Sequence, residues 1–61
     1  MNIEEALKQN PGMRLSNNNK WLVWNDDENK WEVWGQQYGK RSSCMGRTEQ
    51  LWIALQYLLK D

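Results

Sequence analysis

Two near-copies of one pentapeptide, Lys20-Trp21-Leu22-Val23-Trp24 and Lys30-Trp31-Glu32-Val33-Trp34, flank the polar run Asn25-Asp26-Asp27-Glu28-Asn29. Tryptophan and valine suit a pleated, half-buried surface, and runs of Asn and Asp turn a chain. The pattern predicts an antiparallel hairpin with strands over 20–24 and 31–37. Side chains alternate between the two faces of a strand, so the parity of the turn decides which residues share a face. An even turn places Leu22, Trp24, Trp31 and Val33 together, with Trp21, Val23, Glu32 and Trp34 opposite. An odd turn groups Trp21, Val23, Trp31 and Val33, and leaves Leu22, Trp24, Glu32 and Trp34 on the other side. In both registers one face is wholly apolar and the other holds Glu32 with two tryptophans. The Glu32 face is therefore expected to point outward.

The segments around the hairpin read as helices. Residues 2–9 predict a short helix, with Asn2 as N-cap, Glu5 three residues later and an apolar stripe of Ile3, Ala6 and Leu7. Asn10-Pro11-Gly12 stops it. Residues 49–60 predict a second helix, capped by Thr48. Its apolar residues, Leu51 to Leu55 and Tyr57 to Leu59, cover so much of the circumference that burial on more than one side is expected. Met13 to Leu15 reads as extended and 16–19 as a turn. The stretch from Gln36 to Met45 is open between a loop and a third strand over 41–45, reached through a turn at Tyr38-Gly39. The expected architecture is α+β: a short N-terminal helix, a Trp-rich antiparallel hairpin of two or three strands, and a C-terminal helix packed on one sheet face.

Sixty-one residues make a single domain, 1–61. So short a chain buries only about 60% of its unfolded surface and often needs a staple or a partner. Cys44 is the sole cysteine and histidine is absent, so neither a disulfide framework nor a metal centre is expected. No cofactor is expected either. Eight basic residues balance eight acidic ones. A mainly electrostatic grip on nucleic acid or on an anionic membrane is thereby disfavoured. No apolar run approaches the roughly 18 residues of a membrane-spanning helix. The acidic, amphipathic start and the lone thiol point to a cytoplasmic location.

Chemistry-bearing residues are few. Cys44 has Lys40, Arg41 and Arg47 nearby in sequence, but no base, and reads as a small core residue. Asp26, Asp27 and Glu28 form a hairpin tip without the ligand series of a calcium loop. Lys40, Arg41 and Arg47, with Arg14, Ser42 and Ser43, are the one basic cluster. They could meet phosphate beside the helix start at Thr48, or simply guard a strand edge. No catalytic constellation is present, and the chain is not expected to be an enzyme.

From Trp21 to Leu59 the chain resembles, in outline, the N-terminal arm-binding domain of tyrosine recombinases. The matching pieces are the strand from Trp31 to Trp34, the Gly39-Lys40-Arg41 turn and the helix opening at Thr48-Glu49-Gln50-Leu51. That resemblance implies a small sheet followed by one helix, and contact with nucleic acid. The chain departs from it in being neutral, where that family is strongly basic, and in ending after the helix, where that family continues into a catalytic domain. The opening, IEEALKQNPGMRL followed by a Trp-rich strand, is similar to the start of several small phage-encoded domains. Some of those inhibit bacterial defence systems, which implies a small phage or mobile-element protein that works by binding.

The functional expectation is a stand-alone module that binds another protein, inhibiting or adapting it, and that forms a homodimer. Trp34 with Trp21 or Trp24 would supply affinity, because tryptophan is enriched at binding hot spots. Glu32, Gln36 and Arg41 would form a polar rim. The ordinary alternative is that loops or the N-terminal helix cover Trp34 and its neighbour. A second functional reading is a small nucleic-acid binder using Lys40, Arg41 and Arg47 with indoles stacked on bases.

Overall fold

A computed structural model describes residues 2–10, 12–36 and 41–60. The order is α1 (Ile3–Gln9), β1 (Leu15–Asn17), β2 (Lys20–Asn25), β3 (Lys30–Gly35), β4 (Ser43–Thr48) and α2 (Leu51–Leu59). The strands form one antiparallel sheet in sequence order. The α+β class is as expected, but the sheet has four strands. The first is Leu15–Asn17, in a stretch expected to turn from Ser16 onward. The last starts at Ser43 and runs on through Gly46 and Arg47, where the strand was expected to end. The expected turn at Tyr38-Gly39 lies outside the described residues.

The hairpin turn is even. Asn25 pairs with Lys30 and Trp24 with Trp31, leaving Asp26 to Asn29 as the loop. Asn25 Oδ1 accepts the Glu28 backbone N–H at 3.1 Å, and Asn29 takes a positive φ of 54°. Asparagine tolerates that left-handed backbone better than most residues, so the polar run is suited in detail to its turn. Asn18, in the two-residue connection between β1 and β2, does the same with φ of 55°.

Leu22, Trp24, Trp31 and Val33 consequently share one face, and the core forms there. Leu22, Trp31 and Val33 are fully buried, together with Leu7 of α1 and Ala54 and Leu58 of α2. Leu15, Trp24, Leu51 and Leu55 pack around them. The Trp24 and Trp31 rings meet at 4.8 Å between centroids and 57°, a tilted contact. Lys8 extends from α1 over the Trp24 ring, 4.6 Å from its centroid. Among the described residues the buried Trp31 Nε1–H has no acceptor. The area its ring removes from water offsets the cost of that one donor.

Both helices lie on this face. Asn2 Oδ1 accepts the Glu5 N–H at 2.7 Å and caps α1 as its sequence implies. Thr48 does not cap α2. It closes β4 opposite Trp31, and its Oγ1 accepts the Gln50 N–H at 3.2 Å, so the helix starts two residues later than expected. Asn17 Nδ2 donates to the Leu58 carbonyl at 2.9 Å and ties the end of α2 to β1. At Gly46 a Cβ would fall 2.7 Å from the Tyr57 ring, so the bare backbone lets α2 lie close against β4. The helix is buried on one side only. Trp52, Tyr57 and Leu59 are exposed, contrary to the expectation drawn from its apolar circumference.

Leu22→Ala empties the centre of this small core. The expected loss is about 2–5 kcal/mol. A chain of this length holds roughly 3–9 kcal/mol at 0.05–0.15 kcal/mol per residue. Urea unfolding followed by tryptophan fluorescence should therefore show most of the stability gone.

Candidate functional site

With α1 and α2 both on the Leu22 face, the opposite face of the sheet carries no helix or strand among the described residues. Cross-strand pairing places Ser16, Trp21, Trp34 and Cys44 in one row across β1 to β4, and Val23, Glu32 and Arg47 in the next. Trp21 and Trp34 are direct partners on adjacent strands. Both indoles are half-buried. What shields them is side chains of the same surface. The Arg14 guanidinium lies 5.4 Å from the Trp21 ring centroid, and the Trp34 Nε1–H donates to Glu32 Oε1 at 3.1 Å.

Glu32 organises the face. It is only 5% exposed. Its Oε2 accepts from Arg47 Nε at 2.9 Å and from Asn25 Nδ2 at 3.1 Å, while Oε1 takes the Trp34 indole. A buried carboxylate is tolerated only when opposite charge and hydrogen bonds replace its water. Here one guanidinium and two neutral donors do so, and together they hold Trp34 in place. The Arg47 side chain stays 53% exposed.

The sequence-derived site residues divide accordingly. Trp21 and Trp34 come together on the outer face, as the even register requires. Trp24 does not join them. It lies on the helix side, packed on Trp31 beneath Lys8, because its parity is that of Leu22. Glu32 faces outward as expected, but it is a buried anchor rather than an exposed rim group. Gln36 follows the end of β3, donates its backbone N–H to the Asn19 carbonyl at 3.0 Å, and lines a cleft of about 260 Å3 with Asn17, Lys20, Ser43 and Lys60. Arg41 is exposed ahead of β4.

Of the alternative nucleic-acid cluster, the described residues are Arg41 and Arg47. Lys40 lies outside the described residues, and Arg47 is committed to Glu32. Cys44 is exposed, against the expectation of a core thiol. The cause is an irregularity in the pairing. Val33 pairs with Gly46 and Trp34 with Cys44, so Met45 is an extra residue in β4, and the bulge returns Cys44 to the outer face.

One exposed surface is absent from the sequence-derived sites. Trp52 is 58% exposed and Leu59 66%, both on α2. Their spacing of seven puts them on one side of the helix, and Leu55 lies between them. Assigning all the apolar residues of α2 to the core hid this stripe. Comparison with protein-family models, curated proteins and solved structures finds no match to this chain.

Arg47→Met leaves a buried carboxylate without its charged donor and should cost about 1–3 kcal/mol. The double variant Glu32→Leu, Arg47→Met removes both charges and should lie closer to the parent than the single variant does. Urea midpoints for the three chains measure this.

Proposed function

We propose that this chain is a small protein-binding module that inhibits or adapts its partner by covering part of that partner's surface, with Trp21, Val23 and Trp34 as the contact. The observation that supports it is the one-sided packing of α1 and α2, which leaves a cross-strand pair of indoles on a face that no described element covers. Tryptophan and arginine are the residues most enriched at binding hot spots, and a rigid aromatic surface loses little entropy when it is covered. Trp34 is already oriented by its bond to Glu32, and the stems of Arg14 and Arg47 border the patch. The contact area thus combines two indoles, one valine and two cationic edges, which suits a partner with an apolar centre and an acidic margin.

A second copy is the other candidate for this face. Six apolar residues make up the fully buried core among the described residues, and a core of that size favours association. Nucleic acid is less well supported, because Arg47 is neutralised by Glu32 and the chain has no net charge.

Trp21→Glu puts a charge at the centre of the patch without touching the core. With the chain as bait in a host lysate, the parent and a Gln9→Glu control, exposed on α1, should retain the same protein, and Trp21→Glu should lose it by about thirtyfold or more, the scale of a hot-spot residue. Equal capture by Trp21→Glu overturns the assignment, and release by nuclease transfers it to nucleic acid. Sedimentation of the parent and Trp21→Glu separates the homodimer: self-association through this face should vanish in the variant.

A further inference from the structure

On the other side of the molecule, α1 and α2 border a groove of about 430 Å3. Leu51, Trp52 and Leu55 line it, and Glu4 and Glu49 also border it. Trp52, Leu55 and Leu59 follow i, i+3, i+7 spacing, so the groove continues along the flank of α2, from Leu55 at the margin of the core to the exposed Trp52 and Leu59. The two ends of the stripe, Trp52 and Leu59, are the most exposed large apolar side chains among the described residues. An exposed apolar stripe beside carboxylates has a definite complement. We infer that this groove docks an amphipathic α-helix of a partner protein whose apolar edge is flanked by lysine or arginine.

The charge of the occupant follows from the rim. The described lining contains two carboxylates and no cationic side chain. Lys8 reaches Glu4 only at 3.8 Å, on exposed surface, and that lysine also lies over Trp24. Such a contact is worth little and leaves Glu4 available to a second cation. Among the described residues Glu49 makes no ion pair.

The form of the occupant follows from the lining elements. Adding a strand requires a free sheet edge, whereas the backbone of α2 is already hydrogen-bonded within its helix. A helical stripe of this spacing is matched by another helix laid along it. The occupant is not a second copy. α2 has no charged residue, and the one cation of α1, Lys8, already lies beside Glu4 and over Trp24, so a second copy brings no free cation on a helix to meet Glu4 and Glu49. This surface lies across the molecule from Trp21 and Trp34, so it stands or falls independently of the sheet-face contact.

Nitrogen-resolved NMR of the intact chain tests this, because each indole N–H is a separate reporter. The probe is a synthetic amphipathic helical peptide of leucine and lysine, with a leucine–glutamate peptide of the same pattern as control. The lysine peptide should shift the Trp52 indole saturably and leave Trp21 and Trp34 in place, while the glutamate peptide should shift none. Leu59→Ser, at an exposed position, should weaken binding at least about tenfold. Glu4→Gln with Glu49→Gln should weaken it and flatten its salt dependence. The inference is overturned if Trp52 does not move, if both peptides bind alike, or if the shifts fall on Trp21 and Trp34. It is also overturned if Trp52 shifts with protein concentration alone, which would identify a second copy as the occupant.

Discussion

The β2–β3 turn has an even number of residues, and the arrangement of the whole chain depends on that parity. With Asp26 to Asn29 between the paired Asn25 and Lys30, Trp24 faces Trp31 across the hairpin, and Leu22 and Val33 fall on the same side. One residue more or fewer would exchange the faces of one strand relative to the other. Trp24 and Leu22 would then lie beside Glu32 and Trp34, and the core would need to form around Trp21 and Val23. Two local devices hold the even count: the Asn25 side chain accepting the Glu28 N–H, and Asn29 in a left-handed conformation. Both belong to polar residues of the turn, yet they decide where the largest apolar side chains go.

The second organising contact sits on the face that the turn directs outward. Glu32 is nearly as inaccessible as a core leucine, although no helix among the described residues covers it. Its burial comes from the layer formed by Trp34, Val23, Asn25 and Arg47 around it, with three donors supplying what water would otherwise supply. A charge removed from water but fully partnered contributes specificity of arrangement more than net stability. It orients an indole and an arginine side by side on a flat surface. That is a binding surface whose polar groups are satisfied before any partner arrives, which lowers the cost of covering it.

Much of this was legible in the residues. The hairpin, the Asn2 cap, the two helices and the outward direction of Glu32 follow from alternation, spacing and turn chemistry, which act within a few residues of the chain. Three features were not legible, each for a reason that acts between elements. β1 is too short for its own pattern to mark it and exists because β2 offers it an edge. Cys44 is exposed because Met45 is accommodated as a bulge, a matter of how β4 meets β3. Trp52 and Leu59 of α2 are apolar enough to pass for core, and only the position of the sheet reveals which side of the helix has a neighbour.

The amino-acid sequence by itself determined that two Trp-rich strands pair about a polar turn, that one face of the ribbon is apolar and that the other contains Glu32. Those are properties of nearest neighbours and of a period of two. The tertiary structure alone decided which tryptophans are core and which are surface. Trp31 is enclosed because both helices come to its side of the sheet. Trp21 and Trp34 remain at the surface because nothing described comes to theirs, and Trp52 because the sheet takes up only one side of its helix. Five chemically identical side chains receive three different environments, because burial is set by what lies across from a residue and not by the residue itself.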